Sequence, residues 1–479
     1  ADSATVSKVT LAEGAALIGK GRILDDKTSA DSHIAVTMEL CHRPLVQDVR
    51  FEGLSDRAVY LKDCIRHLVY GIHGDDFQAS GTAYLVSVTN ACQDGVVGLV
   101  TCRKVRHIFT TNNAAATKGI PRRCIFNGFT GEDTSYATGG SMGAGDMVDT
   151  HAAAEDIHYW NFTLRGSSGQ GINAECRSGS IINGWIYGSI GIGLALHNQT
   201  DREGDWVLDN VHSYDSGGDG IKVTPVHAGF ARLVMRNLSA TDAAGVGVFI
   251  DGSASHDISL RASNWDITRS ASATASAYVI NVNGGSIKGV HVQDPTQVGQ
   301  TGLRLRDVTH LSVSQVTGRL ASEAVGALVY FNATGAGTCS DCTIDNVVGE
   351  SPAAVSSRGI LLDNNARDIT VGRVLRLDDF TTPISWGSGT GHVGGLMRGT
   401  LTTDPASLAA GATQTFNVTV PGVAVGDVAS ASFTAANVNI NWFAEATGTG
   451  NVTVTQKNNS GGAIDLASGT IKVVAFKAG

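Results

Sequence analysis

Residues 206–223 read WVLDNVHSYDSGGDGIKV. A short apolar run stops at Asp209-Asn210, polar residues lead into Ser216-Gly217-Gly218-Asp219-Gly220, and alternation resumes at Ile221-Lys222-Val223. The same asparagine follows an apolar run in neighbouring segments: Asn161 in YWNF, Asn183 in INGW, Asn237 in RNLS, Asn264 in SNWD and Asn346 in DNVV. Asn161 and Asn183 are 22 residues apart, and the next three intervals are 27. A fixed interval of this length is a repeat, and it is tested before any element is assigned.

A second ladder runs in step with the first. GINAE from Gly171, GLALH from Gly193, GIKVT from Gly220, GVFID from Gly247, GLRLR from Gly302 and GILLD from Gly359 each alternate after a glycine. AVYLK from Ala58, AYLVS from Ala83, AYVIN from Ala277 and ALVYF from Ala327 fit the same frame. Period-two alternation marks strands with one buried face. Short strands returning every 22 to 32 residues, with no amphipathic helix between them, predict a parallel β-helix. Its coils stack about 4.8 Å apart, so equivalent residues form columns. An asparagine column suits a tight corner, because Asn tolerates the left-handed conformation and its amide bonds from coil to coil.

From about Thr400 the frame and the asparagines stop, although strands continue through VTVTQKNNSGGAIDLASGTIKVVAFK. Asp404-Pro405 and Gly411 mark a linker and a turn. The expected organisation is a parallel β-helix over 1–398 and an antiparallel β-sandwich of about 80 residues over 399–479 that caps the last coil.

Composition agrees. The 59 glycines and 8 prolines of 479 residues fit many short strands joined by tight turns. A net charge of −9 with no basic block excludes nucleic acid as an expected partner. No apolar run is long enough for a membrane span, so no membrane insertion is expected. The opening ADSATVSKV reads as a cut in mid-chain, with an upstream region missing. Eight cysteines lie far apart except Cys339-Ser340-Asp341-Cys342. Without a second ligand pair this CxxC is not a zinc site, and the thiols are expected reduced and packed.

The GIxLx strands, the asparagine corners and the tail motif GDVASASF…VTVTQKNNSGGAIDLASGTIKVVAFK resemble those of bacteriophage tailspikes, right-handed parallel β-helix depolymerases. The segment DTHAAAEDIHYWNFTLRGSSGQGI, 149–172, is similar to a coil of such helices. The resemblance covers almost the whole chain. It implies a homotrimer on a virion, held to the phage tail by an upstream region. The implied activity is cleavage of a bacterial surface polysaccharide, lipopolysaccharide O-antigen or capsule. Fold does not give chemistry, which has to come from the site.

In each coil the residues two and four places after the glycine face outward. This puts Asp149 and His151, Asn173 and Glu175, Ala195 and His197, Lys222 and Thr224, and Phe249 and Asp251 on successive rungs of one strip. The insertion HNQTDREGDW, 197–206, adds Asp201, Arg202, Glu203 and Asp205 as a loop wall. Glycoside hydrolysis needs one carboxylic acid to protonate the leaving oxygen and a second carboxylate to activate water or attack the sugar. Asp149 and Glu175, on diagonal places roughly 5–9 Å apart, fit that need. His151 and His197 flank Glu175 as catalytic partners that bind hydroxyls or tune its proton affinity. Asn173, Arg177, Asp201, Arg202, Lys222 and Trp206 are the expected substrate-binding residues. Neither a metal nor another cofactor is expected; Asp215 and Asp219 read as turn residues in preference to calcium ligands.

A rival chemistry is β-elimination from a uronate, with His151, His197, Lys222 and Arg202 as base and cations. A receptor-binding spike without turnover and a structural spacer are the non-enzymatic alternatives; a spacer's outward places would be Ser, Thr and Asn throughout. Trp160, Trp185, Tyr187 and Trp206 are candidate sugar platforms or corner packing.

Overall fold

The structure is a computed structural model. It describes residues 9–24, 34–77, 83–112, 119–133, 145–151, 154–200, 202–226, 230–252, 258–293, 300–320, 326–334, 339–351, 357–372, 374–378, 380, 382–385, 397–420, 422–435 and 437–476. These are strands and connections, with no helix among the described residues. Two compact units emerge, Ala1–Gly285 with Asp294–Thr296 and Ser286–Gln293 with Gln297–Gly479.

The first unit is a parallel β-solenoid. One wall is a sheet of short strands, one per coil, that includes Arg57–Lys62, Tyr84–Thr89, His107–Asn112, Val148–Thr150, Ile172–Ala174, Leu194–Leu196, Ile221–Val223 and Val248–Asp251. They pair in parallel with unbroken register: Val148 with Ile172, Ile172 with Leu194, Leu194 with Ile221. The alternation predicted this wall. Ile172, Ala174, Leu194, Leu196, Ile221 and Val223 are wholly buried, each worth at most about 1.5–3 kcal/mol for the larger side chains. The glycine column has a packing cause. A Cβ on Gly171 would meet the Gly193 carbonyl oxygen at 2.5 Å, and one on Gly193 the Gly220 carbonyl oxygen at 2.5 Å.

The other wall is built from long strands: Arg122–Glu132, Glu155–Arg165, Gly179–Tyr187, Gly204–Tyr214, Phe230–Thr241 and Ile258–Thr268. Each bends in the middle, at Gly128, Asn161, Asn183, Asn210, Asn237 and Asn264, all with φ between 53° and 69°. The asparagines form the expected ladder. Asn183 Nδ2 donates to Asn161 Oδ1 at 3.0 Å, Asn210 to Asn183 at 3.0 Å, and Asn264 to Asn237 at 3.0 Å. The run breaks once, where Asn237 donates to Asp209 Oδ1 at 2.9 Å. Asp215 sits at φ 54° and Asp219 Oδ1 accepts from the Val246 amide at 2.8 Å, so both are turn residues. Inside, aromatic rings stack from coil to coil, Phe126 on Tyr159 at 5.3 Å and Phe129 on Phe162 at 5.0 Å. All eight cysteines are free and buried, and burial pushes the Cys124 and Cys176 thiols up to about 12.

The second unit repeats the parallel pattern with Thr301–Arg306, Ala327–Asn332, Arg358–Leu362 and Thr382–Ser385. It also holds two antiparallel sheets. One orders Met397–Thr403, Gly469–Phe476 and Val428–Phe433; the other orders Thr413–Thr419, Asn451–Asn458 and Ile440–Gly448. Their core holds Val418, Val420, Phe433, Val452, Val454 and Ile471. The change from parallel to antiparallel pairing at Met397 adjoins the sequence boundary at 398/399, whereas the division into compact units falls at Gly285/Ser286.

Candidate active site

Sheet register sets the strip. Asp149 pairs with Thr110 on one side and Asn173 on the other, and Asn173 pairs with Ala195, followed by Lys222 and Phe249. Small side chains, Thr110 and Ala195, therefore flank the acid–amide pair. Outward places on a solenoid are ordinarily solvated, yet Asp149 is 6% exposed and Asn173 8%. A carboxylate so withdrawn from water is costly unless its oxygens find donors.

Asn173 is the bridge. Its Nδ2 lies 3.2 Å from Asp149 Oδ1 and 3.3 Å from Glu175 Oε1, so one amide nitrogen gives a hydrogen to each acid. The two oxygens are no farther apart than the sum of those contacts, short enough for one glycosidic bond to lie between the acids. His151 bridges the pair a second time, with Nε2 3.1 Å from Asp149 Oδ2 and Nδ1 3.9 Å from Glu175 Oε2. Glu175 is fixed from below by Thr150, whose carbonyl and Oγ1 accept from the Glu175 amide at 2.9 and 3.2 Å.

Burial raises the proton affinity of Asp149, the His151 charge opposes this, and Glu175 reinforces it. Five neighbours escaped the sequence reading: Asp146, His107, Tyr84, Arg57 and Arg106. Asp146 is pushed up to about 6, first by burial. His107 is buried and held down to about 3 by the same desolvation, helped by the Arg106 charge. Its Nδ1 meets the Asp146 carbonyl, so Nδ1 carries the proton, and Nε2, 3.9 Å from Asp149 Oδ2, carries none. The Tyr84 ring packs 4.8 Å from His107, with the Arg57 guanidinium 5.6 Å and the Arg106 guanidinium 6.0 Å from its centre.

The remaining expected residues divide. His197 is on the strip, but its Nδ1 is held by Thr224 Oγ1 at 2.7 Å and burial lowers its proton affinity. Lys222 turns away, 3.8 Å from Asp219 Oδ2 and over the Phe249 ring at 5.5 Å. Arg177 clamps a different part of the coil, bonding Glu155 Oε1 at 3.2 Å and the Glu203 carbonyl at 2.9 Å. Arg202 is exposed, and its carbonyl accepts from Asn198 Nδ2 at 2.9 Å. Asp201 lies outside the described residues. Trp206 is a correction: it is wholly buried, with Nε1 donating to the Arg177 carbonyl at 3.1 Å, so its indole is core and meets no sugar. Among the described residues no three His, Cys, Asp or Glu side chains converge as metal ligands would.

No family model matches the sequence, and no curated protein matches it. Solved structures with a similar fold include the tailspike protein gp49 of Pseudomonas phage LKA1, 15% identical, at a TM-score of 0.39 over 98% of this chain and 67% of that one. The tailspike of Escherichia coli bacteriophage HK620, solved as a mutant in complex with a pentasaccharide, is 10% identical at a TM-score of 0.48 over 99% and 87%. The A-module of the Azotobacter vinelandii mannuronan C-5 epimerase AlgE4 is 14% identical at 0.39 over 75% and 90%. The β-solenoid fold itself rests on the parallel coil-to-coil pairing of this chain.

Proposed function

We propose that this chain is a phage tailspike that binds a bacterial surface polysaccharide, O-antigen or capsule, and cuts it internally as a glycoside hydrolase. The carrying observation is the acid pair Asp149 and Glu175, bridged twice, by Asn173 and by His151. Asp149, the more buried acid and the one whose proton affinity is raised, donates its proton to the leaving oxygen. The proton-free Nε2 of His107 leaves that proton on Asp149. Glu175, closer to solvent, supplies the second carboxylate, which activates water or attacks the sugar. As the proton leaves Asp149, the Asn173 amide hydrogen and the His151 ring stabilise the charge that remains. Three copies on a virion tail, with the antiparallel sheets capping each chain and holding the copies together, complete the reading.

β-Elimination is the second reading: burial raises the proton affinity of the Tyr84 phenol, and the guanidinium groups of Arg106 and Arg57 beside it oppose that rise and are cations suited to a uronate. The deciding experiment incubates the protein with surface polysaccharides from a panel of bacteria and follows product size and the ultraviolet absorbance of unsaturated uronates. Shortened chains without new absorbance, abolished by Glu175→Gln with binding retained, support the hydrolase. Rising absorbance moves the chemistry to Tyr84 and its arginines. Tight binding without shortening leaves a receptor-binding spike.

A further inference from the structure

We infer that a second saccharide-binding site lies on the long-strand wall, in a notch beneath Trp185 at the asparagine corner. The inference takes from the proposed function only that the ligand is a saccharide. Register places Thr130, Thr163, Trp185 and His212 in one outward column. The indole face toward His212 is covered, with ring centres 5.5 Å apart and planes 22° from parallel. His212 is itself locked, its Nδ1 2.7 Å from Ser239 Oγ and its Nε2 2.9 Å from Asn210 Oδ1. Because Asn210 Oδ1 only accepts, Nε2 carries the proton and Nδ1 accepts from the serine hydroxyl. The other indole face looks onto Thr163, a much smaller side chain.

The corner opens at the same level. Gly128 occupies the rung before Asn161 and has no side chain, and Asn161 Nδ2 donates instead to Oδ1 of the neighbouring Asn127 at 2.8 Å. The result is a groove of about 560 Å³ whose outer lining includes Gly128, Thr130, Asn161, Thr163, Asn183 and Trp185. That volume lies in the range of small-ligand pockets, roughly 300–1,000 Å³. In the adjacent column the space is filled, since Arg165 covers the Tyr187 ring at 4.4 Å and Tyr187 stacks on Tyr214 at 4.9 Å. The groove therefore has one open aromatic plane, two threonine hydroxyls and an amide edge. Each ladder amide spends one hydrogen on its neighbour, as Asn183 does toward Asn161 at 3.0 Å, and keeps a second for a ligand. No charged residue lines it.

A pyranose ring has the complementary form, an apolar C–H face for the indole and hydroxyls around its edge for amides and threonines. The absence of charge among the lining residues selects a neutral hexose, deoxyhexose or N-acetylhexosamine over a uronate. A single such ring, with about a dozen heavy atoms, binds in the millimolar range.

The test labels the tryptophans with 5-fluorotryptophan and assigns the Trp185 fluorine signal by its loss in Trp185→Phe. Glucose, galactose, rhamnose and N-acetylglucosamine are then titrated to tens of millimolar. The expected result is a saturable shift of the Trp185 signal with at least one sugar, lost in Thr163→Phe, which fills the notch. A signal that none of the four moves overturns the site. A signal that follows protein concentration and ignores sugar overturns it as well, since a second copy of the chain would then cover the notch. Cleavage of polysaccharide with a silent Trp185 removes this site and leaves the acid pair standing; a shift without cleavage does the reverse.

Discussion

His67 gives a quantitative test of the coil interior. It is 2% exposed and sits beneath Gly95, where a Cβ would lie 1.8 Å from its Nε2, so the ring fills the space that a side chain at 95 would need. Burial lowers its proton affinity from 6.5 to about 4, outweighing the Cys64 carbonyl and the Asp94 charge, which favour the protonated ring. A folded-state value below the unfolded one means that the unfolded chain takes up the proton first. The stability His67 confers is complete above about pH 6.5 and drains away as the pH falls toward 4. At about 1.4 kcal/mol per unit, the loss is on the order of 3 kcal/mol. Histidine labelled with carbon-13 reports the ring directly, with the His67 signal assigned by its disappearance in His67→Leu. The signal should hold its neutral position down to about pH 5. Between pH 7.5 and 4 the unfolding free energy should fall by about 3 kcal/mol less in His67→Leu than in the parent. A ring that titrates near 6.5, or identical pH slopes for the two proteins, would refute the reasoning.

Three further outcomes are expected. Asn173→Leu removes the amide hydrogen that favours ionised Asp149, so the alkaline limb of the pH–rate profile should move to higher pH; an unmoved or lowered limb would take Asp149 out of the acid role. Asp149→Asn relieves both its desolvation and its repulsion from Glu175, so it should raise the melting temperature while abolishing cleavage, and a lowered melting temperature would contradict the energetic account. At Asn183, where φ is 56° and two ladder bonds meet, thermal stability should fall in the order Asn, Gly, Ala, Val. Ala should cost about 2 kcal/mol from left-handed strain and lost amide bonds, and an Ala variant as stable as Gly would remove the strain component.

The fold was legible because its rules are local and repeat. An asparagine at each corner answers a backbone that must turn through positive φ, and a glycine at each strand start answers a coil too close for a Cβ. Neither depends on how long the intervening loop is, so both survive in the sequence as columns. The candidate cluster was legible only where coil lengths stay regular. Asp149 lies 24 and 26 residues before Asn173 and Glu175, which share the next coil, whereas His107 contacts Asp146 across 39 residues. That longer loop hides a second column, Arg57, Tyr84 and His107, which lies three places before the strip positions Tyr60, Ser87 and Thr110. Trp206 shows the opposite failure. Trp206, Val207 and Leu208 are all apolar, so hydrophobicity alone does not say which face is inside. Counting back from Asn210 in steps of two places Leu208 and Trp206 on the same face, and both are wholly buried.

The placement of the acids carries a physical implication of its own. A solenoid coil needs apolar residues inside and has free choice outside, so outward carboxylates are ordinarily left in water at no cost. Here Asp146 and Asp149 are drawn out of water far enough to raise their proton affinity, and their neighbour His107 far enough to lose its proton. None of these desolvations holds the coils together, since backbone pairing and the inward Val148, Ile172 and Leu194 already do that. Each one makes the folded state less stable than an uncharged residue at the same place would. What the arrangement gains is a set of groups whose proton affinities are driven apart within one bridged cluster: an acid that keeps its proton longer, a histidine that releases its own, and a second carboxylate nearer the solvent. Divergent proton affinities in adjacent groups are what acid–base catalysis requires, and they are the ground on which the proposed hydrolysis is placed here.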